Sequence, residues 1–198
     1  CSSDLTKRLA KVYPILFRFL YCTGVRIGEA VNLRREDVNL TTGTITIFDG
    51  KGHKDRVVFM SDDLKSYSCA YQAYMDHLIG ETPWFFPGRD KETHISEGTG
   101  QVRFKAFWKA TEASKLAEKE PTPHCLRHTY VVDRINCWMA DNTQKQEIKV
   151  LMQYLMKNLG HETSKETFYY YHLVEEAFKI VREKDTTGGR VIPEAKRR

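Results

Sequence analysis

The apolar residues of this chain change their period once. Leu5, Leu9, Val12, Leu16, Phe19 and Leu20 recur at the spacing of one helix face, and Gly24 breaks the run. Thr44-Ile45-Thr46-Ile47-Phe48 then follows a period of two, with a turn at Asp49-Gly50-Lys51-Gly52 and a second strand-type run at Arg56-Val57-Val58-Phe59. Two such runs around a glycine-containing turn predict an antiparallel hairpin. Beyond Ser61 the helical spacing returns. Helices on both sides of one hairpin restrict the chain to a mainly α fold with a small antiparallel sheet, three-stranded if Val38 to Leu40 joins it.

The finer reading places a helix start at Ser3-Asp4, with Pro14 expected to kink that helix. Arg26 to Leu33 reads as a short second helix. Ser61-Asp62-Asp63 caps a helix that runs to about Leu78, and residues 83–100 read as loop with a turn at Pro87-Gly88. Further helices are expected at about 101–118, 124–139, 144–158 and 164–183, the last carrying Tyr169, Tyr170 and Tyr171. Residues 184–198 end in Lys196-Arg197-Arg198 and read as a mobile tail. No internal repeat is visible.

Composition narrows the class. The 198 residues suffice for one domain with its own core, and 41% hydrophobic with 29% charged residues is globular rather than disordered. No apolar run is long enough to span a bilayer, and no signal peptide opens the chain. A net charge of +5 permits nucleic-acid binding, although many enzymes are as basic. The five cysteines (Cys1, Cys22, Cys69, Cys125, Cys137) are odd in number and scattered, with no CxxC. That pattern argues against a disulfide framework or a structural zinc site and favours a reducing, cytoplasmic setting.

Several local signals carry chemistry, each with a plainer alternative. His124 and Arg127 in Thr122-Pro123-His124-Cys125-Leu126-Arg127-His128 share a face at a helix start. They suit a phosphate, and they also suit a solvated helix end. Lys51, flanked by Gly50 and Gly52, sits where the backbone can approach a ligand closely, or simply in solvent. Arg26 reads as a surface cation pairing with Glu29, three residues on. His161 in Leu159-Gly160-His161 reads as a helix-end histidine, and the three tyrosines read as packing residues.

The order and spacing of these signals say more. Thr23-Gly24-Val25-Arg26-Ile27-Gly28-Glu29-Ala30, then Gly50-Lys51-Gly52-His53-Lys54-Asp55-Arg56, then His124-Cys125-Leu126-Arg127-His128-Thr129, then Leu159-Gly160-His161, then Tyr170 nine residues on, resembles the tyrosine recombinase (phage integrase) family. The resemblance runs from about Leu20 to Leu173. It implies a catalytic domain at 1–183 with the tail 184–198 mobile or packed on a neighbouring protomer. The catalytic set would be Arg26, Lys51, His124, Arg127, His161 and Tyr170. Tyr169 and Tyr171 would point roughly 100° to either side of Tyr170 on a helix.

The implied reaction is site-specific recombination of double-stranded DNA through a 3′-phosphotyrosine intermediate. Arg26 and Arg127 would clamp the phosphate, because each guanidinium offers a planar fork of permanently charged donors. Tyr170 would be the nucleophile and His124 the group that accepts or orients its proton. His161 would donate a second hydrogen bond to the phosphate, and Lys51 would protonate the leaving 5′-oxygen. No metal, ATP or other cofactor is called for. Glu29 would support Arg26, and His128 would brace the same site. Lys54, Arg56, Arg103, Lys105 and Lys109 are candidates for DNA-backbone contact.

Members of the family work as tetramers on two duplexes and usually exchange C-terminal segments, here the part after Arg182, although this chain alone is compatible with a monomer. The setting implied is bacterial, cytoplasmic and nucleoid-associated. The chain opens on Cys1, which suggests a partial chain without the family's N-terminal DNA-clamping domain and hence weak DNA binding. The stretch from Arg127 to His161 is longer than the family spacing by about three helical turns, with the excess expected around Cys137 to Lys149. Competing readings are a type IB topoisomerase and a non-catalytic DNA-binding relative. A metal hydrolase is the weakest, because Cys125 stands where a His-Glu-x-x-His motif needs its glutamate.

Overall fold

In the computed structural model of the chain, the first apolar stripe becomes α1 (Ser2–Thr23), which runs through Pro14 without a break. Val12, Leu16, Phe19 and Leu20 on that stripe are at most 1% exposed. The structure describes residues 2–48, 55–140, 145–161, 169, 170 and 174. The hairpin turn with Lys51 and Lys54, Tyr171, most of the helix expected at 164–183 and the tail at 184–198 lie outside the described residues.

After α1 come α2 (Ile27–Val31), the strands β1 (Val38–Asn39), β2 (Thr44–Ile47) and β3 (Arg56–Phe59), then α3 (Asp62–Ile79), α4 (Glu97–Lys109), α5 (Pro123–Ala140) and α6 (Lys145–Leu159). Short 3-10 turns lie at Arg35–Asp37 and Glu112–Lys115. The sheet is antiparallel in the order β1-β2-β3. Val38 pairs with Ile45, Ile45 with Val58, and Ile47 with Arg56. Paired residues share a face, so Val38, Ile45, Ile47 and Val58 are buried together while Val57 and Phe59 point outward. By the same parity Arg56 points inward.

The structure departs from the sequence reading at α4. The helix starts at Glu97, inside the stretch read as loop, because Ser96 Oγ accepts the Thr99 N–H at 3.2 Å. It ends at Lys109, well short of residue 118. Gly100 is tolerated within it because α2 crosses closely: a Cβ there would come within 2.8 Å of Ile27 Cδ1. The second helix is also shorter than the expected Arg26 to Leu33.

Among the described residues, two apolar clusters build the interior. The larger joins α1, α2, the sheet and α3, with Phe19, Phe85 and Phe86 in mutual ring contact. The smaller joins α5 and α6 through Val131, Ile135, Met152, Leu155 and Leu159, with Tyr130 and Tyr170 packed on it. Gly24 lies on the seam between them. Its φ is +70°, and an added Cβ would collide with the Tyr130 ring and come within 3.0 Å of Leu159. Gly24→Ala is therefore expected to destabilise the domain by about 2 kcal/mol, through backbone strain and displacement of α5. A urea-denaturation midpoint checks this, and an unchanged midpoint would show that the seam is loosely packed.

Candidate active site

The seam is polar, and the C-terminal end of α6 organises it. Gly160 takes φ +63°, its N–H donates to Lys157 O at 3.1 Å, and the His161 N–H donates to Met156 O at 3.1 Å. This cap leaves the next carbonyls of the helix end, which carries partial negative charge, for other donors. Three arginines take three consecutive carbonyls. Arg56 Nε donates to Asn158 O at 2.9 Å, Arg127 Nη2 to Leu159 O at 2.6 Å, and Arg26 Nη2 to Gly160 O at a long 3.5 Å. Arg127 Nη1 also donates to Gly24 O at 2.7 Å. Asn158 completes the seam by donating from Nδ2 to Thr23 O at 3.1 Å and to Tyr130 Oη at 3.3 Å.

Glu29 balances this concentration of positive charge. Its carboxylate accepts from the Arg26 backbone N–H at 2.8 Å, from Arg26 Nη1 at 3.0 Å and from Arg56 Nη2 at 2.6 Å. Burial pushes its pKa up, but the bonds from Arg56 and Arg26 outweigh burial and hold it below the usual range. Arg127 is only 3% exposed. Burial first, then the charge of Arg26, brings its pKa down to about 10, so it stays cationic at neutral pH.

Arg26, Glu29, His124 and Arg127 line one cleft of about 330 Å³, with Gln101 and Glu97 at its side. His124 comes from the first turn of α5, where Pro123 suits a helix start. His128 follows one turn later, and the two rings meet edge to face at 4.5 Å between centroids. The Tyr170 hydroxyl is hydrogen-bonded to His128 Nδ1. The tyrosine's histidine partner is thus His128, where the sequence reading gave that part to His124. Burial lowers the pKa of both histidines, with His128 and Arg127 adding to the effect at His124, and Arg127 at His128. Both therefore favour the neutral form at neutral pH. Tyr170 is half-buried, whereas Tyr169 is 61% exposed. Two guanidinium groups and a neutral imidazole on one cleft, with a phenol held beside it through the His124–His128 ring contact, suit an anionic tetrahedral group such as a phosphodiester.

The other residues singled out in the sequence lie as follows. His161, directly after the α6 cap, lines a larger adjoining groove of about 730 Å³ between β3, α5 and α6, together with Arg56 and Gly160. Lys105 and Lys109 both pair with Glu120 and remain exposed, which reduces the net charge they offer DNA, and Arg103 stacks toward the Tyr13 ring at 5.8 Å. Arg56 is not a free cation on the surface: its side chain is 9% exposed and bonded to Glu29 and Asn158. Lys51 and Lys54 lie outside the described residues. Sequence reasoning missed the bond from His128 to Tyr170, the inward role of Arg56 and the bridging by Asn158. A signal existed for Arg56, which shares strand parity with Val58. Among the described residues no three His, Cys, Asp or Glu side chains gather as a metal site, and no helix is long and apolar enough to cross a membrane.

Comparison with known proteins agrees with this architecture. Residues 4–177 match the phage integrase family, and the chain belongs to that family. The tyrosine recombinase XerA of Thermococcus kodakarensis is 27% identical over 189 residues, covering 90% of this chain and 59% of its own length. The chain spans about half the length of the curated relatives it matches. Its fold is shared with a crystal structure of XerA recombinase, at TM-score 0.63 and 21% identity, over 93% of this chain and 64% of that one. It is shared as well with XerH site-specific recombinase bound to palindromic difH substrate, at TM-score 0.63 and 17% identity, over 92% of this chain and 51% of that one.

Proposed function

We propose that the domain cleaves and rejoins double-stranded DNA at a specific site through a 3′-phosphotyrosine bond, as the catalytic part of a recombinase of the integration and excision type. The observation that carries this reading is the Tyr170 hydroxyl held by His128 beside the cleft that Arg26, His124 and Arg127 line. Membership of the phage integrase family supports it.

With His128 neutral and protonated on Nε2, the Tyr170 hydroxyl donates to Nδ1, and that proton passes to His128 as the phenolic oxygen attacks phosphorus. The new Tyr170 O–P bond forms and the P–O5′ bond breaks. Arg26, Arg127 and His124 hold the non-bridging oxygens, where negative charge grows. Lys51 protonates the departing 5′-oxygen, and His161 adds a donor from the α6 end. Rejoining runs the same steps backwards, with a 5′-hydroxyl as the nucleophile. The ester conserves the energy of the broken bond, so the exchange balances without ATP. On this reading the whole protein works as a tetramer on two duplexes, in a bacterial cytoplasm where free thiols such as Cys22 and Cys125 persist.

The test is a pool of nicked duplexes of randomised sequence, in which cleavage releases a short strand and traps the enzyme. The expected result is a protein–DNA adduct that survives SDS and carries its nucleotide on Tyr170 by peptide mass spectrometry. Joining of two separate duplexes, without relaxation of a supercoiled circle, distinguishes recombination from topoisomerase action. No adduct from any member of the pool would overturn the reading.

A further inference from the structure

We propose that Arg56 is a positioning residue for this reaction: it sets Arg26 through their shared carboxylate, Glu29, and ties that pair to the α6 end that carries His161. The inference rests on the recombinase reading above and goes beyond it in assigning how the clamp is held.

Arg56 reaches the seam because it lies opposite Ile47 in the sheet and shares the inward face with Val58. Its fork is divided between two bodies of the domain. Nη2 meets Glu29 Oε2 at 2.6 Å on the α2 side, and Nε meets Asn158 O at 2.9 Å on the α6 side. Glu29 Oε2 also accepts the Arg26 backbone N–H, and Oε1 holds Arg26 Nη1. Arg56 thereby fixes the carboxylate that fixes Arg26, at both main chain and side chain. Arg56 does not line the cleft that Arg26, His124 and Arg127 share, and it reaches that cleft through Glu29.

Two further observations argue against a merely stabilising ion pair. Among the described residues, buried Arg56 Nη1 has no hydrogen-bond partner, a costly arrangement for a charged donor. Buried ion pairs are in general poor sources of stability beside apolar replacements. The guanidinium also packs on the Gly160 backbone so closely that a Cβ there would lie 3.0 Å from Nη1. The α6 cap, which delivers His161, is therefore built around this side chain. A lysine could not reproduce the arrangement, because its single ammonium cannot span Glu29 and Asn158 as the fixed fork does.

The experiment compares wild type, Arg56→Met, Arg56→Lys, Glu29→Gln and the Arg56→Met/Glu29→Gln double variant on a suicide duplex enriched from the randomised pool. Single-turnover cleavage is expected to fall about 10- to 100-fold for both Arg56 variants, consistent with misplacement of one preorganised donor. The dissociation constant for the duplex should stay within about twofold, with an unchanged salt slope, because on this proposal Arg56 acts through Glu29 from outside the cleft. A pH profile gives a readout that packing alone would not move. Without Arg56, burial of Glu29 is less opposed, so its carboxyl protonates at higher pH and an acid-side loss of cleavage moves up, apart from the limb that His128 governs. The double variant should lack that shift and be no slower than the worse single variant. Arg56→Lys keeps the charge, so it tests the fork even if Arg56→Met fails to fold.

A wild-type rate in a folded Arg56 variant would overturn the proposal. So would a loss of cleavage matched by an equal loss of DNA affinity. Either result leaves the recombinase reading standing if wild type forms its adduct, whereas no adduct from wild type overturns both.

Discussion

Replacing Tyr170 with phenylalanine is expected to abolish the SDS-stable adduct and to lower single-turnover cleavage by roughly 10⁴-fold or more, the scale seen when a covalent nucleophile is removed. The ring itself is retained, and with it the packing on the α5–α6 cluster. The hydroxyl is lost, and with it the bond to His128. One such bond contributes about 1 kcal/mol, so the thermal midpoint should fall by at most about 4 °C. Tyr169→Phe is the control, because that side chain is 61% exposed and its loss should leave the adduct intact. An adduct persisting in Tyr170→Phe would move the nucleophile to another tyrosine.

The same geometry divides the two histidines. His128→Ala removes the group bonded to the phenol and is expected to slow cleavage by roughly 10²–10⁴-fold, the usual scale for a general base. Burial and Arg127 lower the pKa of His128 from the ordinary 6.5, so the base form persists below the pH at which a free histidine charges. The acid limb that it governs therefore lies below about pH 6.5 and is lost in His128→Ala. A limb above that value would contradict the burial of this ring.

The fold was largely legible because its main elements rest on hydrophobic period. The switch to a period of two at Thr44 marks the hairpin, and the alternation burying Ile45, Ile47 and Val58 follows from it. The start of α4 was less legible, because Glu97-Gly98-Thr99-Gly100 has the composition of a loop. Beside the local Ser96 cap, tertiary packing supports the helix: Ile27 packs on Gly100, and a Cβ on Gly28 would lie 2.9 Å from Glu97 Oε2. Both helices come close because each offers a glycine at the crossing.

At the site, residue types and the local pairing of Arg26 with Glu29 could be read, but not the pairings between distant segments. His124 and Arg127 stand three apart on a helix, and the structure puts both at one cleft. The bond from Tyr170 to His128 depends on how the chain returns across α5, and spacing of 42 residues carries no such information. Nor could sequence show that Arg26, Arg56 and Arg127 converge on the carbonyls of residues 160, 158 and 159, since a backbone carbonyl has no signature in the amino-acid code. Arg56 was the avoidable miss, because strand parity with Val58 already places it inside.

Arg127→Ala is expected to lower cleavage by roughly 10²–10³-fold and to destabilise the domain in the same step. The two effects have separate causes. The rate falls because one of the two guanidinium groups facing the cleft is gone while charge still develops on the phosphate. The stability falls because Gly24 O and Leu159 O lose charged donors at 2.7 Å and 2.6 Å. Hydrogen bonds to charged groups contribute about 1.5–3 kcal/mol each, so a loss of about 3–6 kcal/mol is expected, a large share of the total stability of a domain this size. Arg127→Lys separates the causes. Its ammonium can reach one carbonyl but lacks the fork, so more of the stability should return than of the rate. The measurements are a urea midpoint for each variant and single-turnover cleavage under conditions where each is folded. If Arg127→Lys regained both in proportion, Arg127 would act only as the clasp between α1 and α6, and the phosphate would have to be held by Arg26 and His124.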